Sequence, residues 1–309
     1  MLIKKSVIIM GYSCNNNCIF CCNSKRREET KDEQTPKIKR KILEAKKEGA
    51  TYLELIGGEP TIRKDIFEIV KFAKKLDFDT IMFATNGRMF SNKEFVKKIL
   101  DAGINHIVFS IHGHNSRLHD ALTMVPGSFK QLKKGVENLK EIGFKNIGSN
   151  TTIVKQNYKN LIDIGEFIYN LGIRNSEFIF VDPTHGAPKE NFDDIVPTYE
   201  EVSPYLNSLL EFGKKMGVFH WHVRYYPLCF LEERYHGMIS ELEEKETFKT
   251  EHLAPDFVNR DVERSRREIG RTKIKGCQEC VYFNKCEGPW KEYVRVLGDE
   301  EFKPIKIIK

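Results

Sequence analysis

Eight cysteines fall in two groups, Cys14, Cys18, Cys21 and Cys22 near the start and Cys229, Cys277, Cys280 and Cys286 towards the end, with a long cysteine-free stretch between them. Intracellular thiols clustered at short spacings bind metal more often than they form disulfides. Cys14-Asn-Asn-Asn-Cys18-Ile-Phe-Cys21 is a CxxxCxxC loop. Three thiolates on such a loop can hold three corners of a cubane iron–sulfur cluster and leave one iron without a protein ligand. A zinc site or buried free thiols are the alternatives, and zinc would want a fourth thiolate or imidazole in a closed shell. Cys277-Gln-Glu-Cys280-Val-Tyr-Phe-Asn-Lys-Cys286 is CxxCx5C, and Cys229 brings that set to four, enough for one complete cluster or one zinc ion. Cys22 is left over as a bystander.

These residues need a scaffold, and the chain supplies one. Up to about residue 216, short apolar β-branched segments alternate with longer charged segments of helical period, the pattern of repeated β/α units around a parallel sheet. The spacing predicts strands at 6–10, 52–56, 80–84, 106–111, 146–154 and 177–181. Helices are predicted at 37–48, 66–76, 92–102, 129–142, 161–171 and 200–216. Right-handed crossovers would curl six such units into part of a barrel, a (β/α)6 partial TIM barrel, with its functional face at the C-terminal ends of the strands. The thiol loop follows the first strand, Gly57-Gly58-Glu59-Pro60 the second, Thr85-Asn86-Gly87 the third and Ser110-Ile111-His112-Gly113 the fourth. Residues 217–309 break the pattern and read as a small Cys-rich appendage packed on the barrel.

The CxxxCxxC loop with Phe20 before its third cysteine, joined to Gly57-Gly58-Glu59-Pro60 after the second strand, resembles the radical S-adenosylmethionine (radical SAM) superfamily, whose GGEP motif occupies that place. The resemblance implies a [4Fe–4S] cluster on Cys14, Cys18 and Cys21, with S-adenosylmethionine chelating the open iron through its amino and carboxylate groups. It further implies cosubstrate contacts from Gly57, Gly58, Glu59, Pro60, Asn86, Ser110 and Thr152. The residue that pairs the methionine carboxylate stays open, because Thr123 stands where many relatives carry an Arg and Arg117 lies earlier. The later cysteines resemble the SPASM and twitch extensions of this superfamily. On that likeness Cys229, Cys277, Cys280 and Cys286 would hold one auxiliary [4Fe–4S] cluster; without Cys229 as a ligand, that cluster would keep an open iron for substrate. Cleavage of the cosubstrate to a 5′-deoxyadenosyl radical and hydrogen abstraction from a substrate follow as the implied activity, with an electron donor such as a flavodoxin or ferredoxin as partner.

For the substrate, Asp182 and His185 follow the sixth strand and are expected to look into the barrel mouth. On the strand beginning near Phe219, His220, His222, Arg224 and Tyr226 share one face, which either lines a pocket beside Cys229 or is the solvated side of a hairpin. Relatives with such cluster domains often modify ribosomally made peptides by oxidation or crosslinking. A small-molecule or cofactor-precursor substrate is the alternative. The first strand begins almost at Met1, so a separate protein is expected to recognise any peptide. From another class, a zinc-stabilised RNA-binding protein would predict zinc and no iron.

The 309 residues carry 50 Lys+Arg against 44 Asp+Glu, a net charge of +6. Charges of both signs alternate along the chain, which gives nucleic-acid binding little support. No apolar run is long enough for a membrane helix, and the stretch at 7–10 is too short for a signal peptide, so a cytoplasmic protein is expected.

Overall fold

The computed structural model describes residues 2–306, so the outer ends of the two expected segments, residue 1 and residues 307–309, lie outside it. All six expected strands form: β1 (Ile3–Ile9), β2 (Tyr52–Ile56), β3 (Thr80–Thr85), β4 (His106–Ser110), β5 (Ile147–Ile153) and β6 (Asn175–Phe180). They pair in sequence order, each parallel to its neighbour. The helices between them are α1 (Thr35–Lys47), α2 (Ile66–Lys75), α3 (Lys93–Ala102), α4 (Ser116–Thr123), α5 (Ser128–Glu141), α6 (Leu161–Asn170) and α7 (Tyr199–Lys215). In α3, Asn92 caps the first turn by accepting from the Glu94 and Phe95 amides, and Phe95, Val96, Ile99 and Ala102 form one buried stripe. The short α4, absent from the sequence reading, starts in the same way, with the Asn115 side chain accepting from the Leu118 amide.

The strands alternate between two environments. Leu53 and Leu55 of β2 are fully buried under the helices, whereas Tyr52, Glu54 and Ile56 turn inward. Layers of bulky aliphatic side chains fill the interior of a closed barrel. Here the inward positions include Ala84, His106, Gly148 and Glu177, and a cavity of about 440 Å³ remains in the lower lumen.

The sheet does not stop at β6. The segment after residue 216, expected as an appendage, supplies β7 (His220–Arg224), parallel to β6, and β8 (Phe248–Leu253), parallel to β1, with β9 (Val258–Asn259) antiparallel at the rim. Trp221 and Val223 are fully buried, which is why this segment packs as a barrel strand. The nine strands run in the order β7-β6-β5-β4-β3-β2-β1-β8-β9 without closing. Helix α8 (Ser240–Thr247) packs against both β7 and β8 across the seam. Its Glu244 meets Arg224 at 2.5 Å and Arg266 at 2.9 Å, and Arg266 in turn meets Glu287 at 2.9 Å.

Candidate active site

At the C-terminal ends of the strands lies a cavity of about 370 Å³. Cys14, Cys18 and Cys21 line one side of it, with Gly57 and Gly58 after β2, Asn86 after β3, Ser110 at the end of β4, Thr152 on β5 and Asp182 after β6. The loop and the glycine turn are bonded to each other: the Gly58 amide donates to the Gly11 carbonyl at 2.9 Å and the Glu59 amide to the Ser13 carbonyl at 2.8 Å. A side chain on Gly58 would run into the Tyr12 and Ser13 carbonyls, so only glycine lets the two segments approach this closely. From the other side, the Asn17 and Ile19 amides donate to the Thr123 and Leu122 carbonyls, each at 3.0 Å. The 119–129 stretch therefore acts as a buttress for the thiol loop. Asp120 accepts from the Gly127 and Phe129 amides, and the Thr123 hydroxyl is engaged with the His119 carbonyl and Ser128.

Glu59 and Pro60 lie behind the cavity and line a smaller pocket with Asp32 and Arg63. The Glu59 carboxylate accepts from the Thr61 amide at 3.1 Å, the Thr61 hydroxyl at 2.5 Å, the Thr85 hydroxyl at 2.7 Å and the Asn86 amide at 2.6 Å. Burial pushes this carboxyl up, and those donors pull it back. In this geometry it ties the glycine turn to the end of β3. Asn86 in turn donates from Nδ2 to Asn15 Oδ1 at 2.7 Å, which holds its amide over the thiol loop.

The thiols themselves are crowded. Burial, then the neighbouring Cys21 and Cys14, push the Cys18 thiol up to about 12, while Arg27 pulls it down. Burial also raises Cys14, whose sulfur accepts from the Asn16 amide at 3.3 Å. A cationic metal core would reverse this repulsion and draw off the protons. Among the described residues no three His, Cys, Asp or Glu side chains converge on a point for a single ion. Each thiol set instead lines a cavity, an arrangement that suits a cluster of several irons. The second set fits in the same way: Cys229, Cys277, Cys280 and Cys286 line one pocket with Ile274, Phe283 and Phe302. Burial and the other three thiols raise Cys229 to about 12, so all four sulfurs lie within electrostatic reach of one another.

A family model for the radical SAM superfamily matches residues 8–168. The chain belongs to the radical SAM superfamily. That superfamily uses a [4Fe–4S] cluster and S-adenosylmethionine. The AdoMet-dependent heme synthase of Methanosarcina barkeri is 32% identical over 191 residues, 61% of this chain and 53% of that protein. The mycofactocin maturase MftC of Mycolicibacterium smegmatis is 26% identical over 207 residues, 67% and 52%. The chain spans about half the length of these curated relatives. Among solved structures, Streptococcus suis SuiB bound to precursor peptide SuiA aligns at a TM-score of 0.68 and 17% identity, over 96% of this chain and 73% of that one. The anSMEcpe structure with AdoMet and the Cp18Cys peptide aligns at 0.68 and 13%, over 99% and 93%. No helix among the described residues is long and apolar enough to cross a membrane.

Of the expected substrate residues of this superfamily member, the structure brings only Asp182 to the mouth. His185 is exposed at the start of the short helix 186–190 and does not line the cavity. His222 and Arg224 do share an inward face, but it opens into the lower lumen, where Arg224 pairs with Glu177 at 2.7 Å and His222 stands 3.3 Å from Glu243. The alternation then breaks at Tyr225, whose φ is 64°. That turn sends the Tyr225 ring into the mouth cavity and Tyr226 into the core, where its hydroxyl donates to the Tyr199 carbonyl at 2.7 Å.

Sequence reasoning also missed Arg27 and Asn150, both on the cavity. Arg27 reaches it because the short helix 24–29 folds back on the loop, donating to the Asn16 carbonyl at 2.9 Å and Asn17 Oδ1 at 3.3 Å while its Nε finds no acceptor. Its position five residues after the CxxCC run was the available signal. His112 is buried against Phe20, with ring centroids 4.7 Å apart, and accepts the Thr152 amide at Nδ1, 3.2 Å away. Burial, then His119, push His112 down to about 3, so it is a neutral wall of the cavity.

Proposed function

We propose that this radical SAM enzyme holds its cosubstrate-cleaving cluster on Cys14, Cys18 and Cys21, holds an auxiliary [4Fe–4S] cluster on Cys229, Cys277, Cys280 and Cys286, and oxidises or crosslinks a ribosomally made peptide. The observation that carries the proposal is the single cavity on which three thiols, the Gly57-Gly58 turn and the ends of β3 to β6 meet. When bound, the cluster and S-adenosylmethionine supply a 5′-deoxyadenosyl radical that takes a hydrogen atom from the substrate. The chain's own residues do the rest. Gly57 and Gly58 present bare backbone to the methionine end. Arg27 is the guanidinium on the cavity and is assigned to the methionine carboxylate. Asn86, Ser110, Asn150 and Thr152 offer polar groups to the nucleoside, while Phe20 and His112 exclude water from that wall. Asp182 and Tyr225 face the remaining space, where the substrate would sit.

The peptide assignment is supported by the likeness of the fold to SuiB with SuiA and to anSMEcpe with its peptide. The residues from 217 on are assigned as the auxiliary-cluster segment, and β7 and β8 fasten it to the barrel. A second reading, a small-molecule substrate, is favoured by the match to the heme synthase and to probable GTP 3′,8-cyclases. Anaerobic preparation should yield about eight irons per chain. Replacing Cys14, Cys18 and Cys21 by Ala should halve the iron and abolish 5′-deoxyadenosine formation. A short peptide encoded beside the gene should lose a pair of hydrogens on incubation with reductant and cosubstrate. Zinc in place of iron sinks the proposal, and an unaltered peptide alongside uncoupled cleavage favours the small-molecule reading.

A further inference from the structure

Tyr225 belongs to one cavity and touches a residue that leads to the other. Its ring lines the mouth cavity, and the Trp290 ring meets it edge to face with centroids 4.7 Å apart. Trp290 is 5% exposed and follows Gly288 and Pro289, which line the pocket of the second thiol set. The Gly288 amide donates to Cys286 Sγ at 3.3 Å. A continuous run therefore leads from the mouth cavity through two aromatic rings in contact, the backbone from Trp290 back to Gly288, and one N–H···S bond to a thiol of the second site.

The run is held in place from several sides. Tyr225 keeps a φ of 64°, a conformation that a residue with a bulky side chain adopts only when its surroundings impose it. Its amide donates to Glu241 Oε1 at 2.7 Å, and Arg271 donates to its carbonyl at 3.5 Å. The Arg271 guanidinium lies 4.7 Å from the Trp290 ring centroid and 5.6 Å from that of Tyr225, and Arg271 and Trp290 form an antiparallel bridge. Glu241 and Arg271 are each 2% exposed, so the clamp is shut off from water.

Resting on the reading of both thiol sets as cluster ligands, we propose that Tyr225 and Trp290 form the electron path between the substrate cavity and the auxiliary cluster. After hydrogen abstraction, one electron would leave the substrate radical through the two rings, the backbone of residues 288–290 and Cys286 Sγ. An oxidised auxiliary cluster would take up that electron, and one proton would leave the substrate for bulk water outside the mouth. The product is then closed-shell and oxidised by two electrons relative to the substrate. Arg271 places a positive charge against both rings, which raises the cost of removing an electron from either. The rings consequently serve as packed matter that shortens the gap and are not themselves oxidised.

The test uses the full chain, anaerobically prepared with all its iron, as wild type and as Tyr225→Leu, Trp290→Leu and Tyr225→Phe. Iron content and the electron paramagnetic resonance signals of both clusters are recorded first. Each protein is then mixed with a one-electron reductant and frozen at intervals, and the rate at which the electron equilibrates between the two clusters is read from their signals. Removing a ring leaves a gap with no partner atoms, so both Leu variants should slow by roughly tenfold or more, while Tyr225→Phe keeps the wild-type rate. Equal rates in wild type and both Leu variants, with both signals intact, overturn the path. A wild-type chain with iron for only one cluster overturns the two-cluster reading and the path with it. Should Trp290→Leu lose its auxiliary signal, Trp290→Phe decides: a smaller ring should give an intermediate rate, and an unchanged rate overturns the proposal.

Discussion

Arg27 shows how much a single side chain can decide in a cavity otherwise lined by thiols, amides and hydroxyls. A hydrogen bond to a charged partner contributes about 1.5–3 kcal/mol, so Arg27→Gln should weaken S-adenosylmethionine binding by roughly ten- to a hundredfold. Equilibrium binding to the iron-loaded chain measures this, and a change under about twofold removes Arg27 from the carboxylate. The paired histidines set a pH dependence. His112 and His119 stack with centroids 6.0 Å apart and are held at about 3 and about 4, below the ordinary 6.5, mainly by burial. An unfolded chain takes up these protons below about pH 6.5 while the folded chain refuses them, so stability is full above that pH and falls as pH drops towards 4. Urea unfolding midpoints should decline across this window, less so in His119→Asn, and a flat profile would contradict the burial argument. The cysteines were legible in sequence because their spacing is local. Arg27 was not, because its position depends on a short helix folding back over the loop.

Two adjoining loops form the working element. Gly58 and Glu59 bond to the thiol loop much as a further pair of strands would, and Gly58→Ala would press a methyl group into two carbonyls. That substitution should cost about 1–3 kcal/mol, the usual range for overpacking, and reduce iron retention. Thermal unfolding and iron content together check it, and a wild-type melting temperature with full iron would show that the loops can part without harm. The motif Gly57 to Pro60 was readable in the chain, but the work of Glu59 was not. Its four donors come from the turn itself and from the end of β3, and only the assembled sheet reveals them. Counting alternate residues placed His222 and Arg224 correctly on one face and failed two residues later. Alternation assumes extended backbone throughout, and Tyr225 departs from it.

Across the whole molecule, the incomplete barrel is closed off by charge where hydrogen-bonded strands are lacking. Arg266 has a side chain only 6% exposed and joins Glu244 of α8 to Glu287 of the Cys-rich segment. Removing one member of a buried ionic set leaves its partners uncompensated, so Arg266→Ala should cost about 3–5 kcal/mol in urea unfolding. Against burial, Arg224 and then Arg266 hold Glu244 down to about 2. Its contribution is therefore full above the ordinary 4.5 and is lost as pH falls towards 2, a second acid phase below that of the histidines. The six-unit repeat and the strand near residue 219 were visible in sequence, whereas β8 was masked by the charged residues around it, and that both strands extend the sheet shows only in the pairing.

The pairing of β1 with β8 also governs how the protein is made. Ser6 donates to Glu251 at 2.6 Å across 245 positions of sequence, so β1 waits for a partner strand that is made much later. Until then one edge of β1 is bare and the thiol loop hangs from an unsealed sheet. The wall on that side of β1 stays open until β8 has been made and docks.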